Sequence, residues 1–357
     1  MHKKLFIPGP TEVSKDSLEA MGTPMIGHRM KEYSQLQGRV TPKLKKILHT
    51  DGLVFIGTCS STGWMEGSIR NCCKKACVNF INGAFSKRWH QITTANGFEA
   101  DAVNAEWGDP ITPEMVDQAL ATGKYDCLTL VHNETSTGVM SPLEDIAKVV
   151  GKYPDVAFLV DSVSSMAGVD IDFEKLGIDV LLAGVQKAFG LPAGLAICAV
   201  SDKAMQRSRE AKNKGFYFDF CLYEKYDKKD QTPSTPAISH VFALDKKLDS
   251  FFEESLEHRY KRHMDMAQCV RDWVKKNGFE MFPKEGYASI TLSTIKNTKG
   301  MDIGKLNEFL ASKGAVIANG YGDLKNKTFR IAHMADCTLD DVQQLLSWID
   351  EFRSNES

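Results

Sequence analysis

Two stretches decide the fold: Val156-Ala157-Phe158-Leu159-Val160-Asp161-Ser162-Val163-Ser164-Ser165, and then Asp179-Val180-Leu181-Leu182-Ala183-Gly184-Val185-Gln186-Lys187. Each is a short apolar run rich in β-branched residues, and each ends on a charge, the first on an aspartate and the second on a lysine. Short, continuously apolar runs of this kind are expected of strands buried on both faces. Similar runs occur at Leu53-Val54-Phe55-Ile56, Ala76-Cys77-Val78-Asn79-Phe80-Ile81, Cys127-Leu128-Thr129-Leu130-Val131 and Leu195-Ala196-Ile197-Cys198-Ala199-Val200, with helix-like segments between them. That alternation predicts an α/β architecture, a mostly parallel sheet flanked by helices.

Outward from this core, residues 1–20 carry a Pro-Gly-Pro turn and read as an arm or short helix outside the main sheet. Residues 21–245 are expected to form a large ligand-binding domain and 246–357 a small α+β domain. A long charged helical pattern runs from Ile238 to Asn277. Beyond it lie strand-like Ala288 to Leu292, a helix at 302–313, strands at Ala315 to Ile317 and Thr328 to Ile331, and a closing helix at 338–352. Residues 205–235 show no period and read as a mobile or interface segment.

The chain has 357 residues, 43% of them hydrophobic and 25% charged, the proportions of a globular enzyme. Forty-four basic and 46 acidic residues leave a net charge of -2, so no global field draws it to nucleic acid or an anionic membrane. Any anion must be held by a local site. The nine cysteines lack the paired spacings of a zinc site, and reduced thiols with no bound metal are the expectation. The first eight residues are too poor in apolar side chains for a signal peptide, and no run approaches the ~18 apolar residues of a membrane span. A cytoplasmic protein is expected.

In an open α/β sheet, ligands bind at the carboxyl ends of the strands. Four such places carry chemistry. Gly57-Thr58-Cys59-Ser60-Ser61-Thr62-Gly63 joins a strand to a helix start and would make a phosphate cup of free N–H groups and hydroxyls, or an ordinary cap. Asp161 ends a buried strand and needs a cation or donors; a protonated pyridine nitrogen or a helix cap would satisfy it. Lys187 stands where a strongly hydrated amine is expensive, which suits a nucleophile of lowered pKa unless it snorkels to solvent. Arg330, in Thr328-Phe329-Arg330-Ile331-Ala332-His333-Met334, suits a bidentate carboxylate or a structural ion pair.

Taken together, these motifs resemble the class V aminotransferases of fold type I, in the alanine–glyoxylate and serine–pyruvate branch. The resemblance runs almost end to end. It includes Pro8-Gly9-Pro10-Thr11, Gly27-His28-Arg29, Ser60-Ser61-Thr62-Gly63 with Met65-Glu66, and Asn82-Gly83-Ala84-Phe85-Ser86-Lys87-Arg88-Trp89. Further pieces are His132-Asn133-Glu134-Thr135-Ser136-Thr137-Gly138-Val139, Gln186-Lys187 and Thr232-Pro233-Ser234-Thr235-Pro236.

The resemblance implies pyridoxal 5'-phosphate as cofactor, bound covalently by Lys187, which also shuttles the proton. Asp161 would pair with the pyridine nitrogen, Val163 and Phe85 would face the two sides of the ring, and Thr135 would bond near the ring hydroxyl. Ser61, Thr62 and Gln186 would hold the phosphate, with Thr232 and Thr235 reaching it from the other subunit of a homodimer. Arg330 would bind the substrate carboxylate, with Gly9, His28 and Arg29 nearby. The implied substrates are a small amino acid, alanine or serine, and glyoxylate or pyruvate. Phosphoserine is the competing donor, through His28 and Arg29. Other readings on this scaffold are a desulfurase or lyase, which needs a nucleophilic cysteine, and a non-catalytic subunit. Three departures from the family bear on specificity: Ser61 for glycine, Phe85 for tryptophan, and a bulky Trp64 expected beside the phosphate turn, where it would tighten the pocket.

Overall fold

The computed structural model describes residues 2–356. Its central sheet has seven strands in the order Leu53–Gly57, Ala196–Val200, Val180–Gly184, Ala157–Asp161, Cys127–Val131, Ala76–Ile81 and Glu99–Asn104. Only Ala196–Val200 runs against its neighbours. Along every strand but the edge strand Glu99–Asn104, alternate residues enter two different cores. Val54, Ile56, Phe158, Val160, Leu181 and Ala183 join the cluster under Lys31–Leu48 and Ile238–Glu254. Phe55, Ala157, Leu159, Val180 and Leu182 join the cluster with Trp64, Ile69 and Trp89 on the other face. Because both faces are covered, the strands read as unbroken apolar runs rather than as alternation.

A second sheet of five strands has the order Lys4–Phe6, Ala315–Asn319, Thr328–Ala332, Leu292–Lys296 and Glu280–Met281. Phe6, Ile295, Ile317, Phe329 and Ile331 pack against Leu256–Lys276, Ile303–Ser312 and Leu339–Glu356. Lys4–Phe6 lies outside the main sheet and pairs in parallel with Ala315–Asn319.

Four details differ from the sequence reading. Glu99–Asn104 is an edge strand with alternating exposure and no apolar run to announce it. The long helical pattern is two helices, broken at Ser255 (φ 65°), whose side chain caps the second by accepting from the His258 N–H at 3.2 Å. The strand expected at Ala288 to Leu292 begins only at Leu292, because Ser289 and Thr291 spend their hydroxyls on local and inter-layer hydrogen bonds. Within 205–235, Phe220–Asp227 is a helix, and Phe220 and Tyr223 are core residues. Among the described residues, no helix is long and apolar enough to cross a membrane.

Candidate active site

Strand ends and loops enclose a cavity of about 150 Å³ that gathers Ser60, Ser61, Thr62, Met65, Phe85, Arg88, Val131, Asn133, Thr135, Asp161, Val163, Gln186 and Lys187. A larger cleft of about 540 Å³, lined by His132, Tyr260 and several acidic residues, contains neither Lys187 nor Asp161. The smaller cavity is therefore the candidate site.

Lys187 follows the strand Val180–Gly184, and its Nζ donates to the carbonyl oxygen of Pro8. Burial lowers its pKa to about 8, the Arg330 charge adds to the lowering, and Asp161 opposes it. The amine is thereby closer to its nucleophilic neutral form at neutral pH than an exposed lysine. Gly9 (φ 118°) lies on this side chain; a Cβ there would come 2.7 Å from Nζ. Only glycine allows the approach.

Asp161 closes its strand at 4% exposure, and one oxygen accepts the Val163 N–H at 2.8 Å. Burial pushes its pKa up to about 7; the Val163 hydrogen bond opposes that rise, as do the more weakly felt charges of Lys187 and Arg88. A buried carboxylate left so short of positive charge fits a protonated ring nitrogen.

At the phosphate cup, Ser60 makes no side-chain cap on the helix Ser61–Cys72, and the Ser61 hydroxyl is buried without a hydrogen-bond partner. A Cβ at Gly184 would collide with both Gln186 Oε1 and Ser61 Oγ. Thr62 Oγ1 accepts from Arg88 NH1 at 3.3 Å. Unused N–H groups at a helix start, an orphaned hydroxyl and an adjacent guanidinium suit an anion.

Phe85 is set by Glu134, a fully buried carboxylate that accepts from the N–H groups of Phe85 (3.1 Å), Ser86 (2.8 Å) and Ser136 (3.1 Å) and from the hydroxyls of Ser86 and Ser136. The Thr135 and Ser164 hydroxyls lie 2.5 Å apart. Asn133 donates to the Ser164 carbonyl and to Thr291 Oγ1, leaving its own Oδ1 buried and unpartnered. Arg330, at the centre of Thr328–Ala332, donates from Nε to Asn319 O (3.0 Å) and from NH1 to Thr135 O (3.2 Å), with Tyr321 beneath its guanidinium. It is 8% exposed, and among the described residues no carboxylate forms an ion pair with it.

Residues 77–345 match the family model described as Aminotransferase class-V. The chain belongs to the class V aminotransferases. It is a pyridoxal-phosphate-dependent enzyme of fold type I. It is 39% identical to an uncharacterized aminotransferase of Methanocaldococcus jannaschii, over 98% of this chain and 92% of that one. It is 30% identical to a serine–glyoxylate aminotransferase of Methylorubrum extorquens, over 93% and 86% respectively. An aspartate aminotransferase from Thermus thermophilus superposes with a TM-score of 0.90 at 28% identity, covering 98% of each chain.

Some of the expected aminotransferase residues stand apart from the cavity. Arg29 donates to the carbonyls of Thr232 (2.6 Å) and Pro233 (2.8 Å) and lies over Tyr226; Thr232 bonds Ser234, Thr235 is exposed, and His28 is half-buried. Trp64 does not tighten the pocket. It is fully buried behind Gly57, packed on Phe218, Phe220 and Tyr223, with its indole N–H donating to Ala196 O. No cysteine lines the cavity, and burial pushes the Cys337 thiol up to about 12, opposite to what a nucleophile requires.

Sequence reading gave no role to four lining residues of this aminotransferase, Met65, Arg88, Val131 and Asn133, of which Arg88 and Asn133 can hydrogen-bond a ligand. Arg88 stands three residues after Phe85 on one helix, the spacing that puts both on one face. Asn133 sits just past a strand end, where Asp161 and Lys187 were found.

Proposed function

We propose that this enzyme transfers the amino group of a small amino acid, alanine or serine, to glyoxylate or pyruvate. The observation that carries the reading is the buried guanidinium of Arg330, which has no carboxylate partner among the described residues and whose charge is felt by Lys187, an amine of lowered pKa. An α-carboxylate on Arg330 would orient the substrate with its Cα toward Lys187. The serine–glyoxylate relative supports a small donor.

In this reading Ser61, Thr62 and Gln186 hold the cofactor phosphate, Val163 and Phe85 flank the ring, Thr135 bonds near the ring hydroxyl, and Asp161 keeps the ring nitrogen protonated. When bound, pyridoxal phosphate supplies the electron sink that makes the substrate Cα–H acidic. Lys187 Nζ would hold the cofactor covalently and, once freed, would be the base placed to take the substrate Cα proton. Residues 21–245 act as the cofactor-binding domain and 246–357 as the small domain. A homodimer completes each site with Thr232 and Thr235 of the partner subunit.

Phosphoserine is disfavoured by one observation: Arg29 already donates to the Thr232 and Pro233 carbonyls and to Gln231 Oε1 within its own chain. The test is a screen of alanine, serine, aspartate and phosphoserine against glyoxylate, pyruvate and 2-oxoglutarate. Alanine or serine should give the highest kcat/KM, with glyoxylate or pyruvate as acceptor. A tenfold preference (about 1.4 kcal/mol) for phosphoserine or aspartate would overturn the small-donor reading.

A further inference from the structure

We infer that Arg88 is the fixed cation of the phosphate cup and that it sets how tightly the phosphorylated cofactor is held. The inference rests on the reading of Ser61 and Thr62 as that cup. A phosphate monoester carries about 1.5 to 2 negative charges at neutral pH. In this cavity it would share a small, partly dry volume with the Asp161 carboxylate, so a cation is needed to offset it.

Only two lining residues are cationic, Lys187 and Arg88. The Lys187 amine is held at the Pro8 carbonyl and is reserved for the covalent bond. Arg330 does not line this cavity. Arg88 makes one hydrogen bond, NH1 to Thr62 Oγ1 at 3.3 Å, long for an N–H···O contact, and among the described residues it forms no ion pair. Its remaining N–H groups are therefore free at the hydroxyl that borders the cup, in the fork geometry that matches phosphate oxygens.

The same guanidinium lies 5.1 Å from the centre of the Phe85 ring, a cation–π distance. The helix start that carries both side chains is pinned by Glu134, so Arg88 is aimed from a rigid base. One group thus contacts the cup and the aromatic wall together.

The experiment uses the full chain stripped of cofactor and titrated with pyridoxal phosphate or with pyridoxal, which has the ring but no phosphate. The variants are Arg88→Gln, Arg88→Lys and Ser61→Ala, with thermal melts to show that each is folded. Arg88→Gln should weaken pyridoxal phosphate by about ten- to a hundredfold, the scale of a charge-assisted contact, and leave pyridoxal within about threefold. Arg88→Lys should recover part of the loss, because it restores the charge but not the fork. Equal losses for both ligands would reduce Arg88 to a brace for Phe85 and overturn the inference. If Ser61→Ala erodes the preference for the phosphorylated ligand and Arg88→Gln does not, the cup stands and the inference fails. If neither variant moves that preference, the cup reading falls and takes the inference with it. Should Arg88→Gln fail to fold, Arg88→Lys decides: unchanged discrimination between the two ligands overturns the inference.

Discussion

Arg330 donates to the carbonyl oxygen of Thr135 at 3.2 Å, which joins the five-stranded sheet to the turn beside the cavity and fixes a positive charge within reach of Lys187. That charge is the second cause, after burial, of the lysine's lowered pKa. Arg330→Gln should therefore raise the pH midpoint for capture of pyridoxal phosphate by cofactor-free enzyme above the value of about 8 expected for the parent. It should also cost at least about tenfold in kcat/KM for every amino acid donor. An unchanged midpoint together with unchanged kcat/KM would make Arg330 a structural residue only.

Lys187→Ala should abolish covalent attachment of the cofactor and lower turnover by roughly a thousandfold or more, since it removes both nucleophile and proton carrier. Borohydride reduction followed by mass spectrometry reads the first effect, and steady-state rates read the second. A reduced adduct of normal yield in the variant would place the linkage on another lysine.

Asp161→Asn should change the stability of the cofactor-free protein in a pH-dependent way. Asp161 holds its proton to about pH 7 when folded, against about 3.8 ordinarily. The folded state thus binds more protons between those values, and its contribution to stability, full below the lower pKa, is lost as pH rises through about 7. Asparagine removes that slope. Melts should show the variant ahead of the parent at pH 8, by a difference on the order of 2–4 kcal/mol, and level with it near pH 4. With cofactor present the order of merit reverses for catalysis, because the proton-transfer step loses its anion. Parallel stability curves for parent and variant would show that Asp161 titrates normally.

Trp64→Ala should cost about 3–5 kcal/mol of stability by opening a hole among Phe55, Phe218, Phe220 and Tyr223. Its ranking of alanine, serine and phosphoserine should match the parent's. A changed ranking in protein that is still folded would return Trp64 to the pocket.

Mixing Lys187→Ala with Thr235→Val tests whether sites are shared between subunits. If Thr235 serves the neighbouring subunit, each protein should be impaired alone, and hybrids should regain activity through one site with both native residues. Thr235→Val with full activity and normal cofactor affinity would remove that threonine from the site.

The strand ends that hold Asp161 and Lys187 were legible in the sequence because a charge at the end of a doubly buried strand is costly and stands out. Glu99–Asn104 was not, since an edge strand with one open face leaves no apolar run. Trp64 was misplaced for a different reason: sequence adjacency to Ser61 and Thr62 says nothing of which side of a helix a side chain takes, and Trp64 turns toward Gly57. Arg88 was hidden because its partners, Thr62 and Phe85, come from two separate elements. The break at Ser255 lacked a glycine or proline to announce it.

Lys4–Phe6 is a strand of the same sheet that carries Arg330, and Pro8, two residues further on, supplies the carbonyl that accepts the Lys187 hydrogen bond. A short, bent span of chain thus runs from the sheet that would grip the substrate carboxylate to the amine that would be displaced. The sheet of Arg330 and the hydrogen-bond partner of Lys187 Nζ are thus tied together by a few residues of backbone, so the arm belongs to both ends of the site at once.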